Sequence, residues 1–162
     1  MILLEKNAWS YPISRKENYD KYKKNNDDKG YFTCKNEEKI DATSENFISY
    51  IKKKELKTQC YWCVNQLYND IEIGDILIIY EVKYGIIGYA NIVGKNDTYK
   101  ELAIELDEDK SSRLIDLNMS VESYIKNKPA RDKTVLRLDN KILEDLTKIF
   151  SGKIDPDDSI PW

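Results

Sequence analysis

The run IEIGDILIIYEV at 71–82, followed after Lys83 and Tyr84 by GIIGYANIVG, constrains this chain more than any other feature. Ile76 to Tyr80 are nearly continuous β-formers, the pattern of a strand covered on both faces. Gly74-Asp75 before them spells a turn, and Lys83-Tyr84-Gly85 is a short connection into a second apolar run. Together they predict an antiparallel hairpin. An isolated hairpin is marginal in water, so further strands and helices must cover it.

Those elements are readable elsewhere. Leu102 to Leu106 alternates apolar and polar residues and predicts a third strand. Leu114 to Leu117 and Thr134 to Leu138 are expected as further strands, and Ile2-Leu3-Leu4 as an edge or core strand near the start. Phe47, Ile48, Ile51 and Leu56 fall on one helical face, with Thr43 or Ser44 as cap and Lys52, Lys53, Lys54 and Lys57 near the C-terminus, where cations suit the dipole. Ile142, Leu143, Leu146, Ile149 and Phe150 form the stripe of a closing helix, capped by Asp139 and stopped by Gly152. A short helix is expected between Ser120 and Pro129, and a loop or short helix over 15–31. Strands with peripheral helices predict an α+β fold: a small, mostly antiparallel β-barrel or a curved sheet flanked by helices.

The 162 residues suit a single domain spanning 1–162, with a polar tail from about residue 152. No apolar run is long enough for a membrane helix and no secretory leader is visible, so the expected location is cytoplasmic and no membrane partner is expected. With net charge −3 the chain has no global basic field to draw in nucleic acid. Charge is nevertheless uneven. Lys126, Lys128, Arg131, Lys133 and Arg137 crowd one segment, whereas Glu105, Asp107, Glu108 and Asp109 make an acidic run read as a solvated loop. The absence of histidine removes Ser-His and Cys-His nucleophilic pairs and histidine zinc ligands.

The stretch CYWCVNQ at 60–66 concentrates the chemistry. Cys60 and Cys63 form a C-x-x-C, but with Cys34 alone remaining and no histidine, a four-ligand zinc site cannot be completed. A redox motif needs a helix N-terminus after it, and none is evident. No metal or other cofactor is therefore expected. Trp62 has two readings: a core tryptophan with Asn65 in a turn, or a stacking face beside a carboxamide able to read a base edge. In an extended strand the two point to opposite sides, so the second reading needs a bend near Val64.

The string W62-C-V-N-Q, then I73-G-D-I-L-I-I-Y, then G85-I-I-G-Y-A-N-I-V resembles the EVE domain, a member of the PUA-like superfamily related to YTH and ASCH domains. The opening ILLEKNA is similar to the first EVE strand, although Ala8 stands where a proline is usual. The late order of short helix, strand and closing helix is also similar. This resemblance implies a PUA-like small barrel flanked by helices that binds nucleic acid and holds a modified base of DNA or RNA in an aromatic pocket. By position, Trp62 and Asn65 would line the pocket, Asn7 would sit at the end of the first strand, and Trp9 would supply the opposite wall unless it is core. Lys126, Lys128, Arg131 and Lys133 are the candidates for phosphate contacts, and Tyr11, Tyr61 and Tyr84 are spare aromatic candidates. Since EVE domains accompany restriction systems, a nuclease or NTPase is an implied partner.

Two other classes compete with a non-enzymatic reader. An enzyme would use carboxylates such as Glu81 and Asp75 for acid-base work, but nothing pairs them, and of a metal-dependent nuclease motif Glu81-Val82-Lys83 matches only the Glu-x-Lys tripeptide. A protein-interaction module would keep the fold without the pocket.

Overall fold

The computed structural model describes residues 6–13, 31–33, 39–41, 43–53, 59–63, 68–81, 85–98, 101–120, 124 and 136–151, with Tyr31–Thr33 and Gln59–Cys63 described by their backbone. In chain order the strands are β1 (Ala8–Pro12), β2 (Tyr31–Thr33), β3 (Lys39–Asp41), β4 (Gln59–Cys63), β5 (Ile76–Glu81), β6 (Gly85–Asn96), β7 (Glu101–Leu106) and β8 (Leu136–Leu138). The helices are α1 (Ser44–Lys52), α2 (Glu108–Leu117) and α3 (Lys141–Phe150). Six strands form one sheet in the order β4-β7-β6-β5-β1-β8, and β2 pairs with β3 separately. Every neighbour in the large sheet is antiparallel except β1 and β5, which run parallel with Ala8 opposite Ile76. β4 and β8 end as its two edges, so the described strands make an open mixed sheet with helices on it and not a closed barrel.

The apolar hairpin runs through the middle of this sheet. Leu77 and Ile79 enter one core cluster with Trp9, Phe47 and Ile51, so α1 covers that face. Ile76 and Ile78 enter the other with Ile142 and Leu146, so α3 covers the opposite face. A fully buried aliphatic side chain contributes about 1.5–3 kcal/mol, which is why a near-continuous apolar strand belongs in the centre and not at an edge. Gly88 is required by packing. A Cβ built there would lie 2.6 Å from Cζ of Phe47 and 3.0 Å from Cβ of Ile79.

Two registers slip. Ile79 pairs with Gly88 but Tyr80 with Ile86, and Ile92 pairs with Ile104 but Gly94 with Ala103. Each leaves one extra residue on β6, Ile87 and then Val93, and a bulge of this kind bends its strand.

The segment expected as a strand over Leu114 to Leu117 is the end of α2. Ser111, Leu114 and Ile115 are its buried face, an i, i+3, i+4 spacing that the short apolar run taken alone does not display. The acidic run expected as a solvated loop is the reason the helix starts there. Asp107 caps it by accepting from the Lys110 amide at 2.9 Å, and Glu108 and Asp109 sit in the first turn, where negative charge favours the helix. Beyond Leu106 the helix takes over hydrogen bonding to β6. The Asp107 amide donates to the Tyr89 carbonyl at 3.0 Å, and the Tyr89 amide donates to Oγ of Ser111 at 2.9 Å.

The α1 expectation holds, with Thr43 as the cap accepting from the Asn46 amide; Leu56, Lys54 and Lys57 lie outside the described residues. The α3 cap is shared. Asn140 occupies the cap position, while Oδ1 of Asp139 accepts from the Lys141 amide at 3.0 Å. Ile2 to Leu4, the loop over 15–31 apart from Tyr31, most of the expected helix between Ser120 and Pro129, and the tail from residue 152 lie outside the described residues.

Candidate functional site

Strand register brings several candidates to one end of the sheet. β1 and β5 start at this end, because Ala8 pairs with Ile76 in parallel. β6 and β4 finish there: Asn96 pairs with Glu101, and Glu101 with Cys63. β8 also finishes there, since Leu138 pairs with Ala8, and α3 begins immediately afterwards.

Asn7 precedes β1 at this end and is half-buried. The expectation put it at the end of the first strand, whereas the described strand begins one residue later, at Ala8. Its backbone is held twice. The amide donates to Oδ1 of Asp75 at 3.1 Å, and the carbonyl accepts from the Ile76 amide at 2.9 Å. Its side-chain oxygen accepts from Nη2 of Arg137 at 2.7 Å and, at 3.5 Å, from Nδ2 of Asn140.

Asp75 is 3% exposed and accepts from three donors: the Asn7 amide, the Glu72 amide at 3.0 Å and the Trp9 indole at 2.9 Å. Charge-assisted bonds from fixed donors are what make a buried carboxylate tolerable. The assignment of Asp75 to a turn is thereby extended, since this turn side chain also anchors β1. Trp9 is 2% exposed and belongs to the core cluster beneath α1. Of its two readings, core or pocket wall, burial favours core.

Trp62 lies on β4 opposite Leu102, at the same end of the sheet as Asn7 but separated from it by β7, β6 and β5. Four strand spacings span roughly 19 Å in a flat sheet. Of the two bulges in β6, the one at Val93 lies toward this end. Cys60, Tyr61 and Cys63 share β4 with Trp62. Asn65, Cys34, Tyr84, Lys126, Lys128, Arg131 and Lys133 lie outside the described residues. Tyr11 is on β1, partly buried against the α1-side cluster. Glu81 is 5% exposed at the end of β5, opposite Gly85.

The same end carries features not assigned from sequence. Nζ of Lys95 donates to the Ile71 carbonyl at 2.7 Å, tying the turn before β5 to β6. Ile73 in that turn is 62% exposed, and Val93, the extra residue of the second bulge, is 38% exposed. Arg137 was visible in sequence as part of the basic segment, on the strand expected over Thr134 to Leu138. Its contact with a residue 130 positions away had no local signal. Asn140 left none either.

Among the described residues, no helix is long and apolar enough to cross a membrane. Comparison with protein-family models, with curated proteins and with solved structures found no match to this chain.

Proposed function

We propose that this chain is a non-enzymatic nucleic-acid reader that takes a modified base of DNA or RNA against Trp62 and Asn65, at the sheet end that also carries Asn7. The observation that carries this reading is the ordered string from Trp62-Cys-Val-Asn-Gln through Ile73-Gly-Asp to Gly85–Val93, which resembles the EVE domain. Register puts the end of β4, which holds Trp62, at the same end of the sheet as Asn7, with β7, β6 and β5 between them. Lys126, Lys128, Arg131 and Lys133 supply the phosphate contacts in this proposal, which an acidic chain needs because one stacked base contributes only about 1–3 kcal/mol. A nuclease or NTPase partner would then act on what the reader holds.

A second reading, a protein-interaction module, draws on the exposed Ile73 and Val93 at the same end. The two separate in an anisotropy titration of labelled oligonucleotides carrying cytosine, 5-methylcytosine, 5-hydroxymethylcytosine or N6-methyladenine. A reader discriminates one modified strand from its parent, and Trp62→Ala weakens that complex about tenfold or more with an unchanged urea midpoint. Wild-type affinity in Trp62→Ala would remove the pocket assignment. Absence of binding at low salt would favour the interaction module.

A further inference from the structure

We propose that the last turn of α3 is a charge-held strap, fastened over Tyr89 by the ammonium of Lys110 and released when that charge is lost. This inference is independent of the reader proposed above and concerns the sheet face that α3 covers.

Four side chains meet at the clasp. The rings of Tyr89 on β6 and Phe150 at the end of α3 stand edge to face, with centroids 5.5 Å apart and planes at 83°. Nζ of Lys110 lies 4.8 Å from the Tyr89 centroid and 5.1 Å from the Phe150 centroid, close enough for each ring face to attract the cation. Oδ2 of Asp107 approaches the same ammonium at 3.8 Å, while Oδ1 caps α2 by accepting from the Lys110 amide at 2.9 Å. One carboxylate therefore holds both ends of Lys110. It draws the ammonium back toward the start of α2, the direction that long helical side chains favour.

Three of the four groups belong to one fixed body. The Tyr89 amide donates to Oγ of Ser111 at 2.9 Å, and its carbonyl accepts from the Asp107 amide at 3.0 Å, so β6 and the first turn of α2 are joined at this point. Phe150 alone of the four comes from α3.

That helix is anchored unevenly along its length. Ile142 and Leu146, in its first two turns, are buried, and Oδ2 of Asp145 accepts from the Tyr124 hydroxyl at 2.6 Å. Beyond Leu146, Thr147 and Lys148 are exposed, and Ile149 and Phe150 are only half-buried. Burial secures the first two turns, whereas the last turn rests on a ring beside Tyr89 and Lys110. Opening of that turn uncovers the Tyr89 ring, which stays in place because its backbone is tied to α2. The Lys110 side chain is 38% exposed, so its ammonium is within reach of solvent and of chemistry that neutralises it. Neutralisation takes the cation from both rings at once. A part-exposed cation–π contact shifts a local equilibrium about two- to fivefold, a scale that governs one terminal turn and not a whole fold.

Amide hydrogen exchange in the full chain, read residue by residue, tests this. Lys110→Met keeps an apolar stem and removes the charge. It is expected to speed exchange of the Phe150 and Ser151 amides about two- to fivefold, with the Leu146 amide and the urea midpoint as in the wild type. Lys110→Arg, which keeps a cation, is expected to retain most of the protection. In a Phe150→Leu background, Lys110→Met is expected to add nothing further.

Unprotected Phe150 and Ser151 amides in the wild type overturn the inference, since there is then no strap to release. Unchanged exchange of those amides in Lys110→Met overturns it as well. Equal acceleration throughout α3 with a lowered urea midpoint would show that Lys110 supports the whole fold instead. The same acceleration in the Phe150→Leu background would show that the cation acts without the ring.

Discussion

The indole N–H of Trp9 donates to Oδ2 of Asp75 at 2.9 Å, joining residues 66 positions apart. The same carboxylate receives the amides of Asn7 and Glu72. Gly74 immediately before it has φ +102°, a left-handed conformation that a side chain disfavours, and this turn aims Asp75 back at β1. One short turn thus fixes where the first strand begins. Asp75→Ala strands three donors and is expected to cost about 2–4 kcal/mol in urea unfolding, with Asp75→Asn intermediate. A loss below 0.5 kcal/mol, by order of magnitude, would mean water replaces the carboxylate.

Packing at Gly88 gives a second expectation. Gly88→Ala drives a methyl group to within 2.6 Å of the Phe47 ring and is expected to destabilise by about 1–3 kcal/mol. Phe47→Leu makes room but opens a cavity, so the double variant should fall short of the sum of the two single losses. A strictly additive double-mutant cycle would show that the ring does not rest on Gly88.

Tyr124 sets a pH dependence. Its hydroxyl donates to Oδ2 of Asp145 on α3 at 2.6 Å, and burial, followed by that hydrogen bond and the carboxylate's charge, pushes its pKa up to about 12. The folded value lies above the ordinary 10, so the stabilisation is complete below pH 10 and is lost as pH rises through about 12. Tyr124→Phe is expected to cost about 1 kcal/mol near neutrality, with the difference from wild type shrinking over that alkaline window. Urea midpoints measured across pH for both proteins check the sign; a gap that widens with pH would contradict it.

Asp107 links helix capping to a neighbouring ring. Asp107→Ala removes the cap of α2 and is expected to cost about 1 kcal/mol. Burial, and secondarily the Asp107 charge, raise the Tyr89 pKa, so the variant should lower it without returning it to the ordinary value. Ultraviolet titration of the variant against wild type reports this. No movement of Tyr89 would show that Asp107 does not act on it.

The hairpin, α1 and α3 were legible in sequence because each carries its own pattern: a long β-branched run, or an apolar stripe with a nearby cap. α2 was misread because LIDL is a short, mostly apolar run, while its helical spacing becomes visible only from Ser111 and its cap hides in an acidic run. Sheet order was beyond local reading. Nothing in AWSYP announces that it pairs parallel to a strand far along the chain. Asn7 was named through the resemblance to EVE domains, but the Arg137 contact that fixes its amide, and the burial of Trp9, are products of that pairing. A lone Arg or Trp looks the same in sequence whether it faces water or a partner strand.

The parallel pairing of β1 also bears on how the chain is made. β1 takes Ile76–Tyr80 on one side and Leu136–Leu138 on the other, so neither of its neighbours exists when it leaves the ribosome. At synthesis rates of about 5–20 residues per second, several seconds pass before β5 emerges and longer before β8 does. During that interval Trp9 has neither its carboxylate nor its core. The nascent segment carries an uncovered aromatic residue and unpaired strand edges, and completion of β5 is the event that supplies its first partner strand.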